Sequence, residues 1–307
     1  MELLKEKYSG PINEVSIGRP GSSVVVGVQR CLPFLFNEGS IPHPPAIAIE
    51  ITDCEPAGWS EDLIKAIGAG ITKDPVAWAK RSLEDTGAGL LCVRLQSVHY
   101  DSLKRPVDEA VSVLKDISAA VSVPLIVLGC GDDEKDKELM PKVSQALKGE
   151  NALLGTATQA NYKTITATAL ADGHSVIAES PIDINIAKQL NILIADMGFD
   201  PKRIVMHPTT ASLGYGMEYT YSIMERSRLA AFSGDKMLAM PFVLFVGQET
   251  WRTKEAKEQG PDQGVNWETA TAAAMLAAGA DILVMRHPAA ARSAAKYVEL
   301  LMGESKC

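Results

Sequence analysis

Short apolar segments alternate with amphipathic segments along the chain from residue 46 onward. The apolar segments are rich in β-branched residues, and a continuous apolar run is typical of a parallel strand that is covered on both faces. We predict eight strands of this kind: AIAIEI (46–51), LLCVRL (90–95), PLIVLG (124–129), ALLGTA (152–157), SVIAES (175–180), RIVMHP (203–208), PFVLFVG (241–247) and DILVMRH (281–287).

The segments between these strands show helical spacing. Ile186, Leu190 and Leu193 recur at i, i+4 and i+7, which is the apolar stripe of one helix. Asp74 and Pro75 are typical of an N-cap followed by the first helical residue. Because each parallel pairing needs a crossover helix, eight alternations predict a (β/α)₈ TIM barrel.

An open, doubly wound sheet is the alternative architecture. It would place a glycine-rich phosphate loop after an early strand, and none follows AIAIEI. A weak internal similarity between DTGAGLLCVRL and AAGADILVMRH also favours a barrel, because both segments end a helix, turn, enter a strand and finish at an arginine.

The first 45 residues differ in pattern from the rest. EVSIG and SSVVVGVQ flank the turn-forming RPGS, which predicts a β-hairpin. We expect this hairpin to cover the barrel floor, so that an N-terminal extension (1–45) precedes a single barrel domain (46–307).

Composition narrows the functional classes. The chain has 307 residues, of which 46% are hydrophobic, and its 38 acidic and 30 basic residues give a net charge of −8. An acidic chain is a poor partner for nucleic acid. No apolar run approaches the roughly 20 residues of a membrane helix, so we expect a cytoplasmic protein.

The cysteines are scattered singly at positions 31, 54, 92, 130 and 307. Isolated cysteines near apolar strands are typical of packed, reduced thiols. The rival interpretation is a metal shared by Cys54 and Cys130, which would still need further ligands. We predict no metal site.

In a TIM barrel, functional side chains collect at the carboxyl ends of the strands and in the loops that follow them. The chemistry there is amide, hydroxyl and guanidinium, without the strand-end lysine of a Schiff-base aldolase or the histidine and carboxylate cluster of a metal hydrolase. This predicts ligand binding and no catalytic residue. The candidate binding residues are Arg94, Gln96, Thr156, Asn161, His207, Thr209, Thr210, Gly214, Gln248 and Arg286.

Several of these residues also have purely structural interpretations. Arg94 and Arg286 would then pair with Glu179 and Glu249 around the rim, and Asn161 would cap its helix. The two histidines at positions 207 and 287 would be loop or capping residues. The two tryptophans at positions 251 and 267, around a predicted long loop (248–265), suit either the core or a partner surface.

The segment HPTTASLGYGMEYTYSIMERSRLAA (207–231), with RCLPF (30–34) upstream and DILVMRHPAAA (281–291) downstream, resembles one known family. The chain is similar, almost end to end, to the small subunit of the corrinoid/iron–sulfur protein of the reductive acetyl-CoA pathway.

That resemblance implies a non-catalytic barrel in a heterodimer with a larger subunit. The larger subunit carries the iron–sulfur cluster and a corrinoid-binding domain, and the corrinoid lies between that domain and the top of the small subunit's barrel. The cobalt receives a methyl group from methyltetrahydrofolate through a separate methyltransferase and delivers it to acetyl-CoA synthase.

The main functional rival is an active methyltetrahydrofolate methyltransferase on the same barrel. Asp53, Asn161 and Asp183 would then bind the pterin. An aldolase or isomerase barrel is a third possibility, but it lacks the lysine or acid–base pair that this chemistry needs.

Overall fold

The computed structural model describes residues 5–68 and 70–303, so Cys307 lies outside the described residues. Every predicted strand is present. A two-stranded hairpin precedes an eight-stranded parallel sheet, and the strands are β1 (Val15–Ile17), β2 (Val24–Val26), β3 (Ala46–Thr52), β4 (Leu90–Arg94), β5 (Leu125–Leu128), β6 (Leu153–Ala157), β7 (Ser175–Glu179), β8 (Ile204–His207), β9 (Val243–Leu244) and β10 (Ile282–Met285).

The parallel sheet is a nearly closed barrel. Its order is β8-β7-β6-β5-β4-β3-β10-β9, and an isolated parallel bridge between Met206 and Phe242 joins the two ends. β9 is the shortest strand, because the Phe245 backbone N–H donates to the Thr210 hydroxyl (2.8 Å) and the chain enters a helix at Val246. The predicted TIM barrel is confirmed.

The crossovers form an outer layer of helices. They are α1 (Glu61–Ile67), α2 (Pro75–Thr86), α3 (Val107–Ala120), α4 (Asp133–Ala146), α5 (Tyr162–Asp172), α6 (Ile184–Asp196), α7 (Met217–Phe232), α8 (Val246–Thr250), α9 (Lys254–Glu258), α10 (Pro261–Ala278) and α11 (Pro288–Gly303). Asp74 caps α2 as predicted, by accepting from the backbone N–H groups of Val76 and Ala77.

The predicted long loop at 248–265 is wrong in detail. α8, α9 and the first turn of α10 occupy it. The Thr253 hydroxyl caps α9 by accepting from the Ala256 N–H, and Pro261 occupies the first position of α10. The Thr253 cap and Pro261 therefore favour helices in the polar segment that was expected to be a loop.

The hairpin of β1 and β2 covers the amino end of the barrel, as expected. Asn151, which precedes β6, donates through Nδ2 to the carbonyls of Ser16 (2.9 Å) and Gly18 (3.2 Å). Val15 and Ile17 are fully buried in the same apolar cluster as the inward side chains of the barrel strands. A second, larger cluster fills the space between the barrel and its helices.

Across residues 5–68 and 70–303, no helix combines the length and the apolar character that a membrane span requires.

Candidate functional site

The carboxyl end of the barrel opens into a cavity of about 490 Å³. Loops after the strands supply its walls, and its floor is formed by the last inward-facing side chains of the strands. The lining residues include Trp59, Arg94, Gln96, Cys130, Asp133, Asp136, Thr156, Thr158, Glu179, His207, Phe245, Gln248, Trp251, Arg252 and Arg286. The volume is that of a small-molecule site.

A buried carboxylate organises one side of the floor. Glu50, on β3, is 1% exposed and accepts from two guanidinium groups. Its Oε1 lies 2.8 Å from Nε of Arg94 and 3.0 Å from Nη2 of Arg286, and its Oε2 lies 2.8 Å from Nε of Arg286. Arg94 also donates through Nη2 to Gln248. Side chains from β3, β4, α8 and the residue after β10 therefore meet at one ionic cluster.

The electrostatics of this cluster fix its charges. Burial acts to raise the pKa of Glu50, but Arg286 and Arg94 outweigh it and lower that pKa to about 2. Burial likewise opposes the charge of Arg94, yet Glu50 raises the pKa of its guanidinium. The predicted pairing of the arginines with Glu179 and Glu249 is corrected: both pair with Glu50, which sits between them inside the barrel.

Aromatic rings hold the two guanidinium groups in place. The Arg286 guanidinium carbon lies 4.4 Å from the ring centre of Trp59, and that of Arg94 lies 5.8 Å from the ring centre of Phe245. Trp59 in turn packs edge-on against the fully buried Trp78. Each arginine is thus fixed by an ion pair and a ring face.

Two side chains on β7 and β8 face this cluster from the other side of the barrel. Glu179 lies beside His207 in the β7–β8 register. His207 packs edge-on against Phe245, and its Nδ1 lies 3.1 Å from the Val243 carbonyl oxygen. Nδ1 therefore carries the proton that it donates. Burial lowers the pKa of His207, so the ring is neutral and its Nε2 is an acceptor.

Behind the cavity wall lies a second buried carboxylate, Glu268 on α10. It accepts from the indole N–H of Trp251 (2.7 Å) and from the backbone N–H groups of Arg286 (2.6 Å) and His287 (3.2 Å). Burial raises the pKa of Glu268 to about 7 against the pull of these donors. The Trp251 ring also stacks on His287. Glu268 thereby ties α8 to the end of β10.

Gly247 allows a close approach at this point. A Cβ atom there would lie 2.5 Å from the Arg286 backbone nitrogen and 2.7 Å from its Cγ. Any side chain at position 247 would therefore displace Arg286 from the cavity floor.

The ten predicted binding residues separate into two groups. Six line the cavity: Arg94, Gln96, Thr156, His207, Gln248 and Arg286. The other four are absent from its lining: Asn161, Thr209, Thr210 and Gly214. Ligand contact by these residues stays a prediction.

Three of the four residues outside the lining have structural partners. The Thr210 hydroxyl accepts from the Phe245 N–H, as described above. The Thr209 hydroxyl donates to the Ser180 carbonyl (2.7 Å), and the Thr209 backbone has a strained φ of 60°. Asn161 does not cap α5 with its side chain. Instead it accepts from the Thr158 N–H (2.8 Å) and donates to Asp133 (2.8 Å).

The residues proposed for a pterin are also engaged elsewhere. The Asp53 carboxylate accepts from the backbone N–H and the hydroxyl of Ser97. Asp183 caps α6 by accepting from the N–H groups of Asn185 and Ile186. Neither aspartate lines the cavity.

Sequence reasoning missed Glu50, Glu268 and Trp59. Glu50 had a readable signal, since a single acid in the apolar run AIAIEIT is costly unless it is paired. Glu268 had no such signal, because the sequence WETATAAAM is equally typical of a helix whose glutamate is exposed to solvent. Trp59 lies in a loop whose path the sequence does not reveal.

The predicted packed thiols are free cysteines within the described residues. Cys31, Cys54 and Cys92 are buried, and Cys130 is partly buried at the cavity wall. Burial raises the pKa of Cys130 to about 12. In the part of the chain that the structure describes, no group of three or more His, Cys, Asp and Glu side chains is arranged to hold a metal ion.

The family model described as "CO dehydrogenase/acetyl-CoA synthase delta subunit" matches residues 14–294. The chain belongs to this family. The resemblance seen in the sequence, to the small subunit of the corrinoid/iron–sulfur protein, is thereby confirmed.

Curated relatives agree. The chain is 34% identical to the acetyl-CoA decarbonylase/synthase complex subunit delta of Methanopyrus kandleri, over 95% of this chain and 76% of the relative. It is 34% identical to the subunit of the same name from Archaeoglobus fulgidus, over 94% and 68% respectively. These relatives are named as subunits of a larger complex.

Solved structures support the fold alone. Dihydropteroate synthase from Xanthomonas albilineans superposes with a TM-score of 0.61 at 15% identity, over 88% of this chain and 96% of that one. The Thermus thermophilus enzyme gives 0.59 at 13% identity, over 94% and 99%.

Proposed function

We propose that this chain is the small subunit of a corrinoid/iron–sulfur methyl-carrier protein. In this proposal its cavity mouth covers a corrinoid that a larger subunit also holds. The bound corrinoid would supply the cobalt that accepts a methyl group, originating from methyltetrahydrofolate, and releases it to acetyl-CoA synthase. Family membership and the subunit names of the relatives support this reading.

The observation that carries the proposal is the chemistry of the cavity. Its donors are the guanidinium groups of Arg94 and Arg286 and the amides of Gln96 and Gln248. Its acceptors include the Glu179 carboxylate. A corrinoid bears many neutral amide side arms, and each arm needs both a donor and an acceptor. The residues present fit such a group.

The role of the protein in this proposal is to bind and to shield. Arg94, Arg286 and Gln248 are fixed before any ligand arrives, because Glu50 and the ring faces hold them. Preorganised donors lose little freedom on binding. The cofactor supplies the reactivity, and the chain supplies orientation and exclusion of water.

The iron–sulfur cluster is assigned to the partner. Such clusters are held by closely spaced cysteines, whereas those of this chain are dispersed along the sequence. We propose the larger subunit, the methyltransferase and acetyl-CoA synthase as partners. This proposal, like that of the function, is supported by family membership and by the subunit names of the relatives.

The rival, a catalytic methyltetrahydrofolate methyltransferase, has weaker support. Asp53, Asn161 and Asp183, which it would use for the pterin, are all engaged in hydrogen bonds within the fold. We therefore expect the isolated chain to transfer no methyl group.

Co-expression with a larger corrinoid-binding chain tests the proposal. We expect a one-to-one complex with a corrinoid absorption spectrum, and no stable corrinoid spectrum from the small chain alone. Turnover of methyltetrahydrofolate by the purified small chain would overturn the carrier role in favour of the methyltransferase.

A further inference from the structure

Two opposite sides of the cavity differ in hydrogen-bonding character, and we call them the donor wall and the acceptor wall. In the eight-membered ring of strands, β3 lies opposite β7 and β4 lies opposite β8. Glu50 on β3 anchors the two arginines of the donor wall. Glu179 on β7 and His207 on β8 form the acceptor wall. A ligand in the cavity would therefore meet donors on one side and acceptors on the other.

The donor wall has unused capacity. Each guanidinium carries five N–H groups. Glu50 and Gln248 engage Nε and Nη2 of Arg94, and Glu50 engages Nε and Nη2 of Arg286. Among the described residues, Nη1 of neither arginine has a hydrogen-bond partner. Neither atom is sealed from solvent, so both are accessible from the cavity that the arginines line.

The acceptor wall is equally unused. Within residues 5–68 and 70–303, the Glu179 carboxylate has no hydrogen bond and no ion pair. Burial acts to lower the pKa of Arg94 and Glu50 raises it, and Glu179 adds to that rise from a distance. His207 spends its Nδ1–H on the Val243 carbonyl, which leaves Nε2 as an acceptor. Two acceptors thus face two donors without touching them.

The charges of the two walls cancel. Glu50 and Glu179 balance Arg94 and Arg286. Two further acids, Asp133 and Asp136, line the cavity, and Arg252 is the one additional cation among the lining residues. An anionic ligand would therefore find no excess of positive charge and would be repelled by Glu179. A neutral ligand with a polar edge would satisfy both walls.

We infer that the cavity floor recognises an uncharged amide edge, with its carbonyl toward Arg94 and Arg286 and its N–H toward Glu179. This inference deepens the proposed function and rests on it, because the expected source of the edge is a side-arm amide of the corrinoid. A free heterocycle with a lactam edge, such as the pterin of methyltetrahydrofolate, presents the same chemistry, and the experiment separates the two.

The test uses the full chain in complex with the larger subunit, stripped of corrinoid. Cobinamide, whose side arms are amides, and its monocarboxylic derivatives are titrated into the complex, and binding is followed by corrinoid absorption. We expect one of the carboxylic derivatives to bind on the order of tenfold more weakly than cobinamide, because its carboxylate would oppose Glu179.

Glu179→Gln removes the repelling charge and keeps the size of the side chain. This variant should lose most of the discrimination between amide and acid. Glu218→Gln is the matched control, because Glu218 is an exposed glutamate at the start of α7 and away from the cavity lining. The control should discriminate as the wild type does.

The outcomes separate the inference from the proposed function. Equal binding of cobinamide and all its acids by the wild type would exclude a corrinoid side arm as the source of the amide edge and leave corrinoid binding intact. Absence of any corrinoid binding would overturn the proposed function. Methyltetrahydrofolate is titrated in the last arm, and binding is followed by tryptophan fluorescence. Binding that Glu179→Gln weakens and Glu218→Gln does not would support the amide edge and assign it to a free heterocycle. No such binding, together with equal binding of the cobinamides, would overturn the amide site.

Discussion

The two ends of this barrel are built from the same strands and have opposite characters. At the amino end the inward positions are apolar, and the hairpin closes them with Val15 and Ile17. At the carboxyl end the next inward positions are charged. Ala48 is followed two residues later by Glu50 on β3, and Val284 on β10 is followed two residues later by Arg286, directly after the strand. One step along a strand thus separates the packed half from the half that opens to solvent.

The difference shows how a barrel divides stability from function. The amino end gains stability from burial of apolar surface. The carboxyl end places charged groups where desolvation is costly, and they are tolerated because Glu50 pairs with both arginines. Removal of one charged side chain should therefore lower the stability more at the carboxyl end than removal of one apolar side chain does at the amino end.

The largest effect is expected for Glu50→Ala. Removing the carboxylate leaves two guanidinium groups without a counter-charge inside the barrel, and we expect the free energy of unfolding to fall by about 4 kcal/mol. Urea unfolding measures it. Glu50→Gln keeps an acceptor and should lose less. A loss below about 1 kcal/mol in the alanine variant would show that water already screens this cluster.

The second effect is a pH dependence at Glu268. The folded-state pKa of about 7 lies above the ordinary value of 4.5. The folded protein therefore holds this proton to higher pH than the unfolded chain does. The stability of the wild type relative to Glu268→Gln should fall as the pH rises from about 4.5 to about 7, by about 3 kcal/mol. Thermal or urea unfolding of both proteins across this range measures it.

Parallel stability curves for the two proteins would contradict that expectation. They would mean that the donors from Trp251, Arg286 and His287 keep Glu268 ionised in the folded state. In contrast, the Glu50 contribution should persist down to pH 4.5 and disappear as the pH falls toward 2, because its folded-state pKa is depressed.

A smaller effect is expected at the opposite end of the barrel. Val15→Ala removes two buried methyl groups from the hairpin and should cost about 2 kcal/mol of stability. Corrinoid retention by the complex should be unchanged, because the hairpin is remote from the cavity. Loss of corrinoid in this variant, at a temperature where it is folded, would remove the distinction between the two ends.

The smallest effects concern Thr209 and Thr210. Replacement of either by valine removes one hydrogen bond of the β8–α7 loop and should cost about 1 kcal/mol. Since neither residue lines the cavity, retention of corrinoid and of the larger subunit should not change. If a variant lost corrinoid or the larger subunit while it remained folded, the replaced threonine would be part of the binding surface.

The barrel was predictable from sequence because eight buried strands leave a pattern that few other folds share. Six of the ten candidate residues reached the cavity lining for a related reason: strand ends converge in any barrel. Thr209 and Asn161 did not, because loop geometry decides where their side chains go. The positive φ of Thr209, for instance, is not encoded by its residue type.

Glu50 marks a different limit of sequence reasoning. β3 is apolar on both faces, so its alternation does not say which face is the barrel interior. Only the closed sheet shows that Glu50 shares the interior with two arginines that lie 44 and 236 positions away along the chain.

Hydrogen exchange on this chain, alone and in complex with the proposed corrinoid-loaded larger subunit, tests the central claim most directly. We predict protection on complex formation in the loops at the cavity mouth, around residues 57–59, 129–133 and 248–252, and unchanged exchange in the hairpin at 15–26. Protection of the hairpin with none at the mouth would contradict the assignment of the carboxyl end as the functional face.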